Sequence, residues 1–519
     1  MDLNDRLHQK YPLAISVDIE PGRKLLYDSR SNLLFTLTEE QLEQLVAEED
    51  PYDSQTLQML ECLRLRDVLI PGGRSTLFDA TQSNIDSVLD YNAANIMMRK
   101  YVLEVTQDCN FRCSYCSNTI ETQWRHHSHR HMSAEVARKA VDYYFKLYTE
   151  FIQKVPEAYR ADFIKRNPPT LGYYGGEPTL NFKAIKEATD YMLSLPWEKV
   201  GVNKDDIEFT SNTNLSFMNE AMLEFFVSHS FMLFASLDGP ASEHDKNRVD
   251  VHGGPTFSRA YKNLMKIRDY DPEYFKQKVT VMAVEAPNYD SRATHEFLDG
   301  LGCHISYLPM STYGCFIANP VEKLKELEEI EDKLVERAVE NFEKDPDGEL
   351  KSYTHITGHR LNMKDSNPNS GLLPTCPVAT DNIMIDVDGN FHICHKTDGS
   401  FVLGNVDEGL NRDALRKFYA DLAQTSDCEA CRNCWAVRSC GQCAAVRLRG
   451  GAFVNPNEDE CRYIRKTALI DYEIFAKLYQ RHPDIIDRLD EFMNDPDRYQ
   501  GVIDLSTIKW ENYRQQSGS

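Results

Sequence analysis

The chain has 519 residues, 41% apolar and 27% charged, with a formal net charge of −23, a length that exceeds what one hydrophobic core serves and implies about two to four domains. The acidic balance works against phosphate-backbone binding, and no run of about eighteen uncharged apolar residues is present to span a bilayer, so neither nucleic acid nor membrane is an expected partner. The opening MDLNDRLHQKYPLAIS lacks the basic start, apolar core and small-residue cleavage site of a secretory signal, which places the chain in the cytoplasm, where cysteines serve as metal ligands or catalytic groups rather than disulfides.

Leu13, Ile15, Val17 and Ile19 alternate along a first strand, and the LLYD and LLFTL segments continue it across turn residues. Thr38 with Gln41 three residues on is a capping-box pattern, opening a helix with Leu42, Leu45 and Val46; a second helix presents Leu57, Leu60 and Leu63. Strands followed by helices make residues 1–92 a winged-helix-like module. Its order, with YDSRSNLLFTLTEEQLEQL at the centre and a leucine-rich helix ending in DVLI, resembles the PqqD-like peptide-recognition domains of ribosomal-peptide biosynthesis. That resemblance implies a grip on the leader segment of a precursor peptide.

Residues 98–318 alternate short apolar strands (YVLEVTQ, LGYYGG, DIEFTSNTN, FMLFASLDG, KVTVMAV and CHISYLPM) with amphipathic helices. Phe257, Ala260, Tyr261, Leu264 and Met265 share one helix face, and Ser133 is an N-cap for another helix. The alternation predicts an α/β fold, a partial (βα)6 TIM-like barrel whose site lies at the carboxyl ends of the strands. A charged helix is expected within a bridge over 319–370. A cysteine-rich domain over 371–465 follows, where Asp388-Gly389 turns one strand into the next, and then a helical tail over 466–519.

Eleven of the fourteen cysteines fall into two clusters. The first, Cys109-Asn-Phe-Arg-Cys113-Ser-Tyr-Cys116, follows the first barrel strand directly. Three thiolates hold three irons of a cubane and leave the fourth open to a small molecule; a zinc site or buried thiols would also use such a run. This CxxxCxxC motif resembles the radical S-adenosylmethionine (radical SAM) superfamily, and further matches follow in chain order. The resemblance implies that Tyr115 packs against the adenine of S-adenosylmethionine, and that Gly175, Gly176 and Glu177 of the Gly-Gly-Glu-Pro sequence ending the second strand bind its methionine amino group. It further implies that Thr210 and Asn212, where the family carries a TNG-like sequence, lie near the ribose. Ser236-Leu-Asp238-Gly-Pro followed by HDKNR is similar to the SxDGP…HDxxR pattern of the peptide-modifying branch; there Ser236 would touch ribose or carboxylate, and Arg248 would pair with the carboxylate. A surface salt bridge is the alternative for Arg248.

The second cluster, Cys376, Cys394, Cys431-x2-Cys434-x5-Cys440-x2-Cys443 and Cys461, resembles the SPASM domain of radical enzymes that act on peptides, which usually has three residues where Cys440 and Cys443 have two between them. The resemblance assigns Cys431, Cys434, Cys440 and Cys461 to an outer auxiliary [4Fe–4S] cluster and Cys376, Cys394 and Cys443 to an inner one. Cys428 would complete the inner set, or that site would stay open to substrate; a zinc ribbon uses the same CxxC pairs. Cys62, Cys303 and Cys315 receive no role, and His126, His127, His129 and His131 read as a solvated loop.

Together the resemblances imply three [4Fe–4S] clusters, S-adenosylmethionine, and an electron donor such as flavodoxin or ferredoxin. The expected activity is that of a radical SAM oxidoreductase that takes hydrogen from a ribosomally made precursor peptide and installs a thioether or carbon–carbon crosslink. A formylglycine-generating anaerobic sulfatase maturase is the alternative, although His395 stands after Cys394 where that family carries an aspartate. Peptide epimerisation, and a non-catalytic iron–sulfur or zinc scaffold, are the other readings.

Overall fold

The computed structural model of the chain describes residues 2–31, 33–47, 56, 60–61, 63–64, 68–75, 81–95, 98, 100–116, 118–119, 126–285, 290–309, 320–344, 382–397, 399–426, 428–438, 440, 444–454, 457–485 and 502–504. Strands β1 (Ala14–Glu20), β2 (Arg23–Asp28) and β3 (Leu33–Thr38) form an antiparallel meander. The Gln41 N–H donates to Thr38 Oγ1 at 3.1 Å and the Thr38 N–H to Gln41 Oε1 at 2.9 Å, so the expected capping box opens the helix Glu39–Val46. Leu57 lies outside the described residues, while Leu60 and Leu63 join Leu42 and Leu45 in one small core.

The six strands expected from the alternation are the six found. β4 (Lys100–Thr106), β5 (Thr170–Gly175), β6 (Glu208–Thr213), β7 (Met232–Ser236), β8 (Val279–Glu285) and β9 (His304–Pro309) run parallel in that order, with helices between them. Helices cover the outer face, where Leu103, Leu171, Leu233 and Val281 are fully buried. Ser133 caps the helix Ala134–Lys154 as expected, accepting the Val136 N–H at 3.2 Å.

Two long-range connections lie outside what periodicity announces. The first joins the cysteine-rich region to the barrel: β10 (Asn382–Ile385) pairs parallel to β4, with Ile383 opposite Tyr101 and Ile385 opposite Leu103. Strands β11 (Asn390–His392), β12 (Val402–Asn405) and β13 (Gly409–Leu410) then extend the same sheet antiparallel. Gly389 turns β10 into β11 at φ +89°, where a Cβ would meet Val406 at 2.7 Å.

The second connection involves the N-terminal sheet. A hairpin of β14 (Leu448–Arg449) and β15 (Ala452–Phe453) precedes the helix Glu458–Arg481, which runs through the boundary expected at 465/466. Ile15, Val17, Leu25 and Tyr27 pack against this helix, the helix Pro320–Lys344 and Trp435, and the Tyr27 and Tyr472 rings stack at 4.9 Å. The module therefore shares a core with the C-terminal third of the chain. At its other edge β16 (Val502–Asp504) adds to β3 in parallel, Val502 opposite Leu34.

Candidate functional site

The loop after β4 presents Cys109, Cys113 and Cys116. It is pinned to the segment after β7: the Arg112 N–H donates to Val249 O at 2.8 Å, the Ser114 N–H to Asn247 O at 3.0 Å, and Ser114 Oγ to Asn247 Oδ1 at 2.7 Å. Arg112 Nη1 also donates back to the carbonyls of Cys109 and Phe111, at 2.7 and 2.8 Å. Cys109 is buried and the other two thiols are half-buried. Burial pushes the Cys109 thiol up, with the Glu177 carboxylate and then the neighbouring thiols adding to the shift. Burial also raises Cys113, to about 11, against the pull of Arg248.

Grouped thiols held protonated by burial become thiolates only when a metal supplies positive charge, so the donor set fits an iron–sulfur cluster. Among the described residues no three Cys, His, Asp or Glu side chains converge as ligands of a single ion; cubane ligands sit on separate irons and stand farther apart.

The end of β5 is zipped onto this loop. The Gly176 N–H donates to Thr106 O at 2.9 Å and the Glu177 N–H to Asp108 O at 2.8 Å. A Cβ on Gly176 would lie 2.1 Å from Asp108 O, so no side chain fits there. Glu177 is 1% exposed, and its carboxylate accepts from Thr179 N at 3.1 Å, Thr179 Oγ1 at 2.7 Å, Thr213 Oγ1 at 2.9 Å and Asn214 N at 2.6 Å. Three of these donors converge on Oε1 and one reaches Oε2. Glu177 thus braces the ends of β5 and β6. Tyr174, Asn212, Phe234, Ser236 and Met282 stand half-buried at alternating positions of paired strands, which places them with the buried Thr210 on the inner face.

Tyr115 and Arg248 meet on Asp238. The Tyr115 hydroxyl donates to Asp238 Oδ2 at 2.6 Å, Arg248 Nε donates to the same oxygen at 2.9 Å, and the Val284 N–H donates to Oδ1 at 2.9 Å. The Arg248 guanidinium lies 5.3 Å from the Tyr115 ring centre. At 7% and 4% exposure, Arg248 and Asp238 form a buried ion pair rather than a surface one. Behind them His244 Nδ1 accepts the Asp238 N–H at 3.3 Å, its Nε2 lies 3.0 Å from Thr256 Oγ1, and that hydroxyl donates to Arg248 O at 2.5 Å. The donor directions require a neutral imidazole protonated on Nε2. Burial, then the charge of Arg248, lowers the His244 pKa to about 4. Asp238 and His244 stood in the SLDGP and HDKNR sequences without a role, and Thr256 carried no signal.

In the cysteine-rich region Cys376 and Cys443 lie outside the described residues, and Cys394, Cys428, Cys431, Cys434, Cys440 and Cys461 are half-buried. Cys428 caps the short helix Glu429–Arg432, which carries Cys431. The Cys431 thiol is pushed up first by burial, then by its hydrogen bond with Cys428, with Cys440 and Cys461 next in effect. Those four cysteines interact with the buried Arg447, while Cys434 bonds Arg465. Cys428, expected to complete the inner set, thus stands with members of the outer one. The His395 ring meets Tyr174 at 4.4 Å between centres, bringing the segment of Cys394 to the barrel mouth.

His126, His129 and His131 are exposed as expected, while His127 is half-buried, its Nε2 3.1 Å from Thr119 Oγ1. Cys303 packs against the main core, and Cys62 and Cys315 lie outside the described residues. Among the described residues no helix is long and apolar enough to cross a membrane.

Residues 103–292 match the family model described as the Radical SAM superfamily. A cysteine-type anaerobic sulfatase-maturating enzyme of Clostridium novyi (strain NT) is 28% identical over 106 residues, 20% of this chain and 27% of that protein. The chain's alignments span 27% to 50% of the length of three curated relatives that it matches. Of solved structures, native anSMEcpe with bound AdoMet and Cp18Cys peptide superposes with a TM-score of 0.47 at 15% identity, covering 76% of this chain and 99% of that one. Streptococcus suis SuiB bound to precursor peptide SuiA gives 0.41 at 13%, covering 86% and 98%. The superfamily implies a [4Fe–4S] cluster and S-adenosylmethionine. The cysteine loop, the Gly-Gly-Glu-Pro turn and the Asp238–Arg248 pair all fall inside the matched segment, and residues 103–292 are a radical SAM domain.

Proposed function

We propose that the chain is a radical SAM maturase that oxidatively crosslinks a ribosomally made precursor peptide. The observation that carries the radical chemistry is the gathering of Cys109, Cys113 and Cys116 at the carboxyl end of β4, zipped to the Gly175–Gly176 backbone. In this reading those thiols hold the radical cluster. Tyr115, the Gly175–Gly176 backbone, Thr210, Asn212, Ser236 and Arg248 bound the space for S-adenosylmethionine. When bound, the two groups supply a 5′-deoxyadenosyl radical that takes hydrogen from an unactivated carbon.

Cys431, Cys434, Cys440 and Cys461, with Cys428 beside them, would hold one auxiliary cluster, and Cys376, Cys394 and Cys443 part of another, giving three in all. The chain's own work is to exclude water, hold Arg248 in place through Asp238, and bring the substrate to the half-buried inner face. Support for a peptide substrate is the N-terminal sheet. Its edge strands are β1 and β16, and its face is joined to the cysteine-rich region through Trp435. An extended peptide adds to such an edge by main-chain hydrogen bonds.

A second reading, formylglycine generation, is favoured by the name of the Clostridium novyi relative. The test is anaerobic incubation of the protein and S-adenosylmethionine with a flavodoxin or ferredoxin donor and a deuterated short peptide encoded beside its gene. Crosslinking predicts loss of two hydrogens from the peptide, deuterium in 5′-deoxyadenosine and no aldehyde. An aldehyde at cysteine or serine would give the sulfatase-maturase reading, and an unchanged peptide beside uncoupled 5′-deoxyadenosine would remove this substrate.

A further inference from the structure

The geometry points to Asn214 as a positioning residue that sets the reduction potential of the cluster held by Cys109, through a hydrogen bond from its side-chain amide to the Cys109 sulfur. This rests on the reading of Cys109, Cys113 and Cys116 as radical-cluster ligands. Asn214 follows β6 and is 7% exposed. Its Nδ2 lies 3.8 Å from Cys109 Sγ, within reach for so large an acceptor, and 3.0 Å from Asn110 Oδ1.

The orientation of the amide is fixed by donors that cannot reverse. Asn214 Oδ1 accepts the Ser216 N–H at 2.8 Å, and a backbone N–H only donates, so Nδ2 must face the sulfur. Flipping the amide would leave that N–H facing a donor and set an oxygen against a thiolate. Asn110 and Ser216 close the frame, with Asn110 Nδ2 2.7 Å from Ser216 Oγ. The backbone N–H of Asn214 is held at 2.6 Å by the Glu177 carboxylate. That buried acid thereby fixes the β6 end from which Asn214 reaches the cluster loop.

Cys109 Sγ also accepts the Phe111 N–H at 3.4 Å. Phe111 belongs to the cluster loop itself, whereas Asn214 arrives from another strand. Hydrogen bonds to cluster sulfurs favour the reduced, more negative cluster and so raise its potential. Removing the Asn214 donor should therefore make the cluster harder to reduce without removing a ligand.

The experiment uses the full-length, cluster-loaded protein as wild type, Asn214→Ser and Ser216→Ala. The last keeps the backbone N–H that orients Asn214 and loosens only the frame. Each is assayed for iron and sulfide, and for the midpoint potential of the paramagnetic signal that changes on adding S-adenosylmethionine, the mark of a cluster with an open iron. The expected result is wild-type iron in all three, a more negative midpoint in Asn214→Ser, and a wild-type midpoint in Ser216→Ala. An unshifted Asn214→Ser midpoint, or an equal shift in Ser216→Ala, would overturn the inference while leaving the radical cluster standing. A wild type with no S-adenosylmethionine-sensitive signal would overturn both.

Should Asn214→Ser lose its cluster, the wild type labelled with 15N at asparagine side-chain amides supplies the deciding measurement. Pulsed resonance on the reduced cluster should then show an amide nitrogen coupling, and its absence would reject the bond.

Discussion

Lowering the pH from 7 to 5 should loosen the turn after β7 through one imidazole. His244 accepts the Asp238 N–H and faces Thr256 while fully buried. Burial, reinforced by the Arg248 charge, brings its pKa to about 4, against an ordinary value of about 6.5. In the unfolded chain the ring takes its proton near the ordinary value, whereas the folded chain resists until about 4. Between those pH values unfolding binds a proton. The stabilisation is therefore complete above the ordinary value and is lost as pH falls through the window.

The whole gap corresponds to roughly 3 kcal/mol, of which about 2 kcal/mol disappears between pH 7 and 5. The chain has more than one core and need not unfold in one step, so a local probe is the right assay: hydrogen exchange of the Asp238 and Val284 amides, both bonded inside this network. Protection in the wild type should fall roughly thirtyfold more than in His244→Gln, which retains a donor and an acceptor but does not titrate. Equal losses in the two proteins would refute the buried neutral imidazole.

Gly176→Ala places a methyl against the Asp108 carbonyl, and should abolish saturable S-adenosylmethionine binding in equilibrium dialysis; retained binding would show that the turn can yield. Asp238→Asn leaves Arg248 without its buried anion and should cost about 3–5 kcal/mol in thermal unfolding, partly recovered in Asp238→Asn/Arg248→Met. No recovery would mean that the pair is not what Asp238 stabilises. Deleting residues 501–519 uncovers the β3 edge occupied by Val502–Asp504, so a peptide that adds there should bind several-fold tighter by fluorescence anisotropy, and an unchanged affinity would place the peptide elsewhere.

Much of this arrangement is local and was legible in the residues. The Thr38 and Ser133 caps, the six barrel strands, the Asp388-Gly389 turn and the cysteine loop depend on neighbours a few positions apart. What the sequence does not announce depends on pairing across long separations. A four-residue strand such as β10 carries no mark of the partner it will choose, so its parallel register on β4 is invisible until the sheet is assembled. Tyr27 and Tyr472 are equally silent about each other.

Glu177 and Arg248, expected beside the cofactor from the motifs in which they stand, also have protein partners that those motifs do not announce: Thr213 and Asn214 at the end of β6 for Glu177, and Asp238 in the segment after β7 for Arg248. The grouping of Cys428 with Cys431 is a one-turn helical neighbourhood that their three-residue spacing allows.

Radical chemistry in this chain is best tested by anaerobic loading with iron and sulfide, followed by chromatography for 5′-deoxyadenosine, in wild type and in the Cys109→Ala/Cys113→Ala/Cys116→Ala variant. Three clusters predict about twelve irons per chain and reductant-dependent 5′-deoxyadenosine, with the product and about four irons lost in the variant. Zinc in place of iron, or a fully loaded protein that leaves S-adenosylmethionine intact, would contradict it.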